Sequence, residues 1–257
     1  MIWQTQTFPK LWSSVVRVAF MVSLATGLAT GMPSIAAEDI AAETAEVAEA
    51  AAVVPAAAPS GQTRESVETE AASADSPVAT VEHFHAGLLE IMKQADALGF
   101  QGRVDALRPL MAKTFDLDFM ASKTVGSHWR KLSAEDKTLW ADLFAQFSTA
   151  NYAGRFTGFK GEQFVTLGAE EAARGTRMVL TRIVVPGGKD VELNYRLLQT
   201  SQGQWKVIDV YLDGTVSELA LRRSEYASAL KRKGFEELVA AVQTKIENLK
   251  TKGQAEG

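Results

Sequence analysis

The side chains that could carry out chemistry in this sequence are few. Its 257 residues include three histidines and no cysteine. Without cysteine, the chain cannot be a disulfide scaffold, an iron–sulfur protein, a zinc–cysteine module or a cysteine hydrolase. His83 and His85 lie two residues apart in a helical pattern, where side chains diverge, and His128 has no evident partner. The histidines therefore do not predict a metal site.

Motifs for other catalytic chemistry are also missing. The serines occur in neither a G-x-S-x-G nor an S-x-x-K motif, so the sequence does not predict a serine nucleophile of these types. The glycines at 158, 161, 187 and 188 do not form a phosphate-binding loop in front of a helix. We therefore expect neither a catalytic residue nor a metal or other cofactor.

Asp209 is an acidic residue within a predicted strand, and it allows two interpretations. It could act as a general base inside a pocket. A salt bridge to Arg196 on the neighbouring predicted strand is the simpler interpretation. Because opposite charges on facing strands attract each other, the second interpretation predicts that the two residues lie opposite each other.

The densest group of basic residues lies in the C-terminal part of the chain. The group consists of Arg222, Arg223, Lys231, Arg232 and Lys233. Such a run is typical of a solvated helix end, where positive charge opposes the helix dipole. It could also contact an acidic partner or anionic lipid headgroups, and we treat it as the candidate surface for docking a partner.

The net charge of −4 conceals a marked asymmetry along the chain. Residues 37–80 carry nine acidic residues and one basic residue, whereas residues 81–257 carry 24 basic and 22 acidic residues. The second region is therefore nearly neutral. It has no basic stripe of the kind that binds nucleic acid, so we expect no nucleic-acid partner.

The first 76 residues are predicted to lie outside the folded domain. In residues 1–36, Lys10 and Arg17 precede an apolar run, and Ser34-Ile35-Ala36 fits a signal-peptidase site. This pattern predicts an export signal, and an uncleaved membrane anchor is the alternative. Residues 37–76 are rich in Ala, Glu and Pro and contain no aromatic residue, which is typical of a disordered leader.

The remaining sequence predicts an α+β domain over residues 77–252, followed by a disordered tail at 253–257. Ser76-Pro77 and Ser133 are the predicted starts of helices. Apolar residues recur with helical spacing over 77–98, 102–114, 116–126, 133–156, 216–232 and 235–251. Alternating patterns predict strands at 161–168, 175–185, 190–199 and 204–212. This order predicts a four-stranded antiparallel curved sheet with helices against one face.

One face of the predicted sheet carries no charge. If Gln202-Gly203 is a two-residue turn, opposed residues on the last two strands have numbers that sum to 405. The uncharged face then consists of Val191, Leu193, Tyr195, Leu197, Ile208, Val210 and Leu212, joined by Val179, Thr181, Ile183 and Val185. The long helix presents the apolar residues Leu143 and Phe147. These surfaces could form a solid core or enclose an apolar cavity, and periodicity alone does not separate the two.

Several ordered motifs over residues 80–250 resemble the MlaC family, also called toluene-tolerance or ABC-transporter auxiliary proteins. They are Phe115-Asp-Leu-Asp-Phe-Met-Ala121, Gly126-Ser-His-Trp-Arg130, Ser133-Ala-Glu135, Tyr152-Ala153, Trp205-Lys-Val-Ile-Asp-Val210, Asp213-Gly214, Arg223-Ser-Glu-Tyr226 and Leu230-Lys-Arg-Lys-Gly-Phe235. The segment Gly214–Glu218 is one residue longer than the usual Gly-Val-Ser segment. In this respect the chain is similar to the hopanoid-associated HpnM branch.

The resemblance implies a cone of the nuclear-transport-factor type, whose cavity holds acyl chains. It also implies a soluble periplasmic carrier of phospholipid, or of a hopanoid-type lipid, between an outer-membrane lipoprotein complex and an inner-membrane ABC transporter with its MCE-domain protein. We expect the cavity to be lined by Leu143, Phe147, Leu193, Tyr195, Leu197, Ile208 and Val210. The alternatives are an enzyme on the same fold, such as an isomerase or dehydratase, and an adaptor subunit with a solid core.

Overall fold

The computed structural model of the protein describes residues 75–255. The predicted export signal 1–36 lies outside these residues, as does the predicted leader up to residue 74. The helices are α1 (Pro77–Lys93), α2 (Ala95–Thr114), α3 (Leu117–Thr124), α4 (Ala134–Arg155), α5 (Glu218–Lys233) and α6 (Phe235–Ala255). The strands are β1 (Gln163–Ala172), β2 (Thr176–Val184), β3 (Val191–Gln199), β4 (Trp205–Leu212) and β5 (Val216–Ser217). The domain is therefore α+β, as predicted.

Three helices begin at serine caps. The hydroxyl oxygens of Ser76 and Ser133 accept hydrogen bonds of 3.0 Å from the backbone N–H groups of Ala79 and Asp136. Ser217 caps α5 in the same way. A cap of this kind satisfies one of the N–H groups that a helix leaves unpaired at its start. The predicted starts of α1 and α4 are thus confirmed, and both follow from local chemistry.

The sheet is antiparallel, and its strands lie side by side in sequence order from β1 to β5. The prediction had four strands. The fifth, Val216–Ser217, occupies residues predicted as the start of a helix, and it pairs with Tyr211 and Leu212 of β4. Because β5 leads directly into α5, this short pairing fixes where α5 leaves the sheet.

The register of β3 and β4 is confirmed where Arg196 lies opposite Asp209, but the predicted turn is wrong. The hairpin loop contains five residues, Thr200–Gln204, with Gly203 at a φ of 81°. Between Arg196 and Leu197 the register shifts by one residue, so that Leu197 pairs with Val207. The longer loop and this bulge offset each other, and the predicted sum of 405 therefore holds only from Arg196 to Leu193.

The helices pack on one face of the sheet to form a continuous core. Tyr195, Leu197 and Val179 of the uncharged sheet face are fully buried in it. Trp140 of α4 is also fully buried, and its indole N–H donates a 3.0 Å hydrogen bond to the backbone oxygen of Ala121 in α3. This contact ties α3 to α4.

Helix α6 runs to Ala255, three residues beyond the predicted domain end at 252. The last turn of α6 lies on α2, because a Cβ atom placed on Gly253 would come within 2.3 Å of the Phe100 ring. Glycine permits this close approach of the two helices. Residues 256 and 257 of the predicted disordered tail lie outside the described part.

Candidate functional site

An apolar cavity lies between the helices and the β4 end of the sheet. Its volume is about 30 Å³, which is the room that one water molecule occupies. Pockets that hold drug-sized ligands measure about 300–1,000 Å³. The cavity described here is therefore closed down, and an acyl chain would enter only if one of its walls moved.

The cavity walls come from five separate elements and one connecting residue. The residues from the first half of the domain are Met111, Phe115, Leu117, Met120, Phe144, Phe147, Ser148, Asn151 and Tyr152. The residues from the second half are Val210, Glu218, Leu219 and Arg222. The aliphatic and aromatic side chains make the interior apolar. The charged groups of Glu218 and Arg222 both come from α5.

A chain of ion pairs runs along the α5 side of the cavity, and we call it the rim ion chain. It consists of Arg155, Glu218, Arg222, Glu225 and Lys245. Arg155 lies 3.3 Å from Glu218, and Arg222 lies 3.6 Å from Glu218 and 3.2 Å from Glu225. Lys245 of α6 also pairs with Glu225. The chain therefore links α4, α5 and α6.

Arg222 is the member of the rim ion chain that reaches over the cavity. The central carbon of its guanidinium lies 4.8 Å from the centre of the Phe147 ring, a distance typical of a cation–π contact. Only 20% of the Arg222 side chain is exposed. Although burial raises the pKa of Glu225, its contacts with Lys245 and Arg222 lower that pKa overall. Glu225 therefore remains a carboxylate at neutral pH.

The structure divides the residues predicted to line the cavity. Phe147 and Val210 lie at the cavity. Leu143, Leu193, Tyr195 and Leu197 are buried in the core. Ile208 is the extra residue of the β4 bulge and is 7% exposed, and its neighbour Val207 takes the predicted place opposite Leu197.

The residues of the predicted docking group are also divided. Arg222 is paired with two carboxylates and lies over the cavity. Arg223 is partly buried, and its guanidinium packs against the backbone of Gly126. Lys231, Arg232 and Lys233 are exposed in the last turn of α5. Only these last three form the exposed basic surface that the sequence predicted.

Asp209 does not form the predicted salt bridge. The Arg196 guanidinium donates instead to Thr176 Oγ1 and to the backbone oxygen of Ala173. The Asp209 carboxylate accepts hydrogen bonds from Ser217 Oγ at 2.6 Å and from the backbone N–H of Leu219 at 3.1 Å. Asp209 thus joins β4 to the start of α5, next to the cavity wall.

A second buried polar pair lies in the core, between α1 and β3. His85 Nε2 and the Tyr195 hydroxyl share a hydrogen bond of 3.0 Å, and the His85 ring stacks on Phe164 with 4.4 Å between ring centres. Burial lowers the pKa of His85 to about 4 and raises the pKa of Tyr195 well above its usual value. Both side chains are therefore uncharged at neutral pH, and neither lines the cavity.

Sequence reasoning missed most of the cavity wall on α4. Phe144, Phe147, Ser148, Asn151 and Tyr152 all line the cavity. Relative to the first of them, they are spaced by three, four, seven and eight residues, which places them on one face of a helix. The spacing was visible in the sequence, but the polar residues Ser148 and Asn151 interrupted the apolar stripe. The wall on α2 and α3 carried no comparable signal.

Two further searches of the described residues gave negative results. No group of three or more histidine or acidic side chains in residues 75–255 is placed to hold a metal ion. None of the helices described there is both long enough and apolar enough to cross a membrane.

Comparison with known proteins gives one family match and several matching folds. A family model described as MlaC protein matches residues 82–244. Seven chains of solved structures match. One is a phospholipid-binding protein from Ralstonia solanacearum, solved in complex with a phospholipid; it shares 20% identity with a TM-score of 0.60, and the match covers 66% of this chain and 97% of that one. A search of curated proteins gives no significant match.

Proposed function

Because this chain belongs to the MlaC family, we propose that it is a periplasmic carrier that moves lipid between the outer and inner membranes. The observation that carries the proposal is the apolar cavity, which has charged side chains on the α5 side only. This arrangement suits a molecule with apolar tails and a charged headgroup. The similar fold of a protein solved with a phospholipid supports the same ligand class.

A carrier must enclose the acyl chains because water solvates them poorly. Burying one CH₂ group stabilises by about 0.8 kcal/mol, so exposing a long acyl chain costs on the order of 10 kcal/mol. The headgroup can remain in contact with water. Apolar walls alone meet this requirement, so carriage needs no covalent step.

We further propose that helix α5 moves to admit the lipid. Its buried side chains are Tyr226 and Leu230, whereas α4 buries eight. Removing two such side chains from the core costs about 3–6 kcal/mol, at about 1.5–3 kcal/mol each. Burial of one long acyl chain exceeds this cost. Of the two helices, α5 is therefore the wall that a lipid can displace.

The proposed pathway has a membrane partner at each end. The family relationship supports an inner-membrane ABC transporter with an MCE-domain protein at one end and an outer-membrane lipoprotein complex at the other. The predicted export signal in residues 1–36 supports a periplasmic location. Phospholipid is the proposed cargo, and a hopanoid-type lipid is the second candidate because of the longer Gly214–Glu218 segment.

The placement of the polar pairs favours a binding protein over an enzyme. An isomerase or dehydratase needs an acid and a base that reach the substrate. The buried pair His85 and Tyr195 lies in the core and is not part of the cavity wall. Asp209 directs its carboxylate to Ser217 and Leu219 at the start of α5.

Lipid extraction tests the proposed function directly. The protein is expressed with its own N-terminal sequence, purified without detergent and extracted, and the lipid is quantified by mass spectrometry. We expect chemically intact lipid in near-stoichiometric amount. Protein that folds but carries no lipid, even after incubation with phospholipid vesicles, would favour the adaptor alternative. Lipid that is consistently altered would favour an enzyme.

A further inference from the structure

The rim ion chain contains more positive than negative charge. Its members are three basic residues, Arg155, Arg222 and Lys245, and two carboxylates, Glu218 and Glu225. If all five are ionised, one positive charge is left over at the edge of an otherwise apolar cavity. A single negative charge placed there would balance the chain.

Arg222 is the residue best placed to receive that charge. Its side chain lies over the Phe147 ring, lines the cavity and remains 20% exposed, so it borders both the apolar interior and water. A guanidinium presents its N–H groups as a planar fork that matches the oxygens of a phosphate. Its contact with Glu218, at 3.6 Å, is longer than a hydrogen bond and is therefore easily exchanged.

We propose that the Arg222 guanidinium binds the phosphodiester group of the lipid that this protein carries, and this assignment rests on the proposed carrier function. Arg155 supplies a second positive charge, since it holds the other side of Glu218. Glu218 competes with the phosphate for both arginines. The Phe147 ring beneath Arg222 marks where the acyl chains begin.

The position of the rim ion chain explains why a phosphodiester suits it better than a neutral headgroup. The phosphate of a phospholipid lies where the polar headgroup meets the acyl chains, and Arg222 lies where the polar rim meets the apolar cavity. A phosphodiester carries one negative charge, which equals the excess on the rim. The rest of the headgroup then points to water, so the site reads the phosphate and not the alcohol attached to it.

Two substitutions with opposite expected effects test the assignment. The full chain is incubated with vesicles that contain equal amounts of phosphatidylglycerol and of diacylglycerol with the same acyl chains, and the bound lipids are quantified. Wild type should prefer phosphatidylglycerol. Arg222→Gln should lower this preference about tenfold, the effect of losing one hydrogen bond to a charged group. Glu218→Gln should raise the preference, because it removes the competing carboxylate.

The opposite signs distinguish ligand binding from a structural role. If the rim ion chain only holds α5 in place, both substitutions should lower the uptake of both lipids equally, and that result would overturn the assignment. Arg108→Gln is a matched control, since Arg108 forms a surface ion pair with Asp105 at the same i,i+3 spacing on another helix. It should leave the preference unchanged.

Two further outcomes separate the assignment from its neighbours. Glycerol phosphate without acyl chains should bind far more weakly than the lipid; equal affinity would mean a site for free phosphate and would overturn the lipid assignment. If wild type takes up both lipids equally, the carrier function stands and the role of Arg222 is wrong. If it takes up neither, the proposed function itself fails, and the assignment that rests on it fails as well.

Discussion

The Asp209 carboxyl should make the stability of this protein depend on pH in a way that one substitution reveals. Asp209 is 6% exposed and accepts hydrogen bonds from Ser217, Leu219 and Val210. Burial raises its pKa to about 6, from the usual 3.8, against the effect of these three hydrogen bonds. The nearby charge of Glu218 acts in the same direction as burial.

The sign of the effect follows from proton binding. Between pH 3.8 and about 6, the folded protein keeps the Asp209 proton, whereas the unfolded chain releases it. The folded state therefore binds more protons, and its stability falls as pH rises through this window. A change of pKa from 3.8 to about 6 corresponds to about 3 kcal/mol.

The buried His85 acts in the opposite direction. Burial lowers its pKa from 6.5 to about 4, so the unfolded chain binds more protons between these values. Stability then rises with pH through the window, also by about 3 kcal/mol. The contributions of His85 and Asp209 nearly cancel. In wild type, therefore, these two groups together leave the free energy of unfolding almost independent of pH from 4 to 6.5.

Removing either group should expose the other. Urea unfolding followed by far-ultraviolet circular dichroism, at steps from pH 4 to 6.5, gives the free energy of unfolding for wild type, Asp209→Asn, His85→Gln and the double variant. On acidification from pH 6.5 to 4 and relative to wild type, Asp209→Asn should lose about 3 kcal/mol and His85→Gln should gain about as much. The double variant should follow wild type. If Asp209→Asn runs parallel to wild type, burial does not dominate the Asp209 carboxyl; if it gains stability relative to wild type on acidification, the hydrogen bonds dominate.

Three further predictions concern the cavity, the core and the exposed basic surface. Val210→Asp should abolish lipid co-purification, because an unpaired carboxylate in an apolar wall is costly, whereas Val216→Asp on the exposed β5 should retain the lipid; a folded Val210→Asp with normal lipid content would contradict this. Tyr226→Phe should raise the free energy of unfolding by about 1 kcal/mol, because the buried Tyr226 hydroxyl has no hydrogen-bond partner among the described residues; a loss in urea unfolding would show that the hydroxyl is satisfied. Reversing Lys-Arg-Lys at 231–233 to Glu should slow transfer of labelled lipid to the partner and flatten its salt dependence, without changing lipid content; an unaltered rate would leave these residues with the helix dipole as their only role.

Local chemistry predicted much of the fold. Ser76-Pro77 and Ser133 predicted the starts of α1 and α4, because a helix start depends on the cap and the residues next to it. The β3–β4 loop was harder. Val207 and Ile208 are both apolar, so alternation does not show which of them faces the helices, and the bulge between them depends on pairing with β3.

The cavity could be predicted only in part, because periodicity identifies a face of the sheet but not what covers each end of it. Tyr195 and Val210 lie on the same face and are paired across β3 and β4. Phe84 and His85 of α1 contact the Tyr195 ring and fill the space above it. Val210 borders the cavity with Leu219 of α5, the helix that buries only two side chains. The difference between core and cavity is thus decided by which helix covers the strand, and that depends on the β5 pairing and the Asp209 hydrogen bonds, which place the start of α5 over Val210.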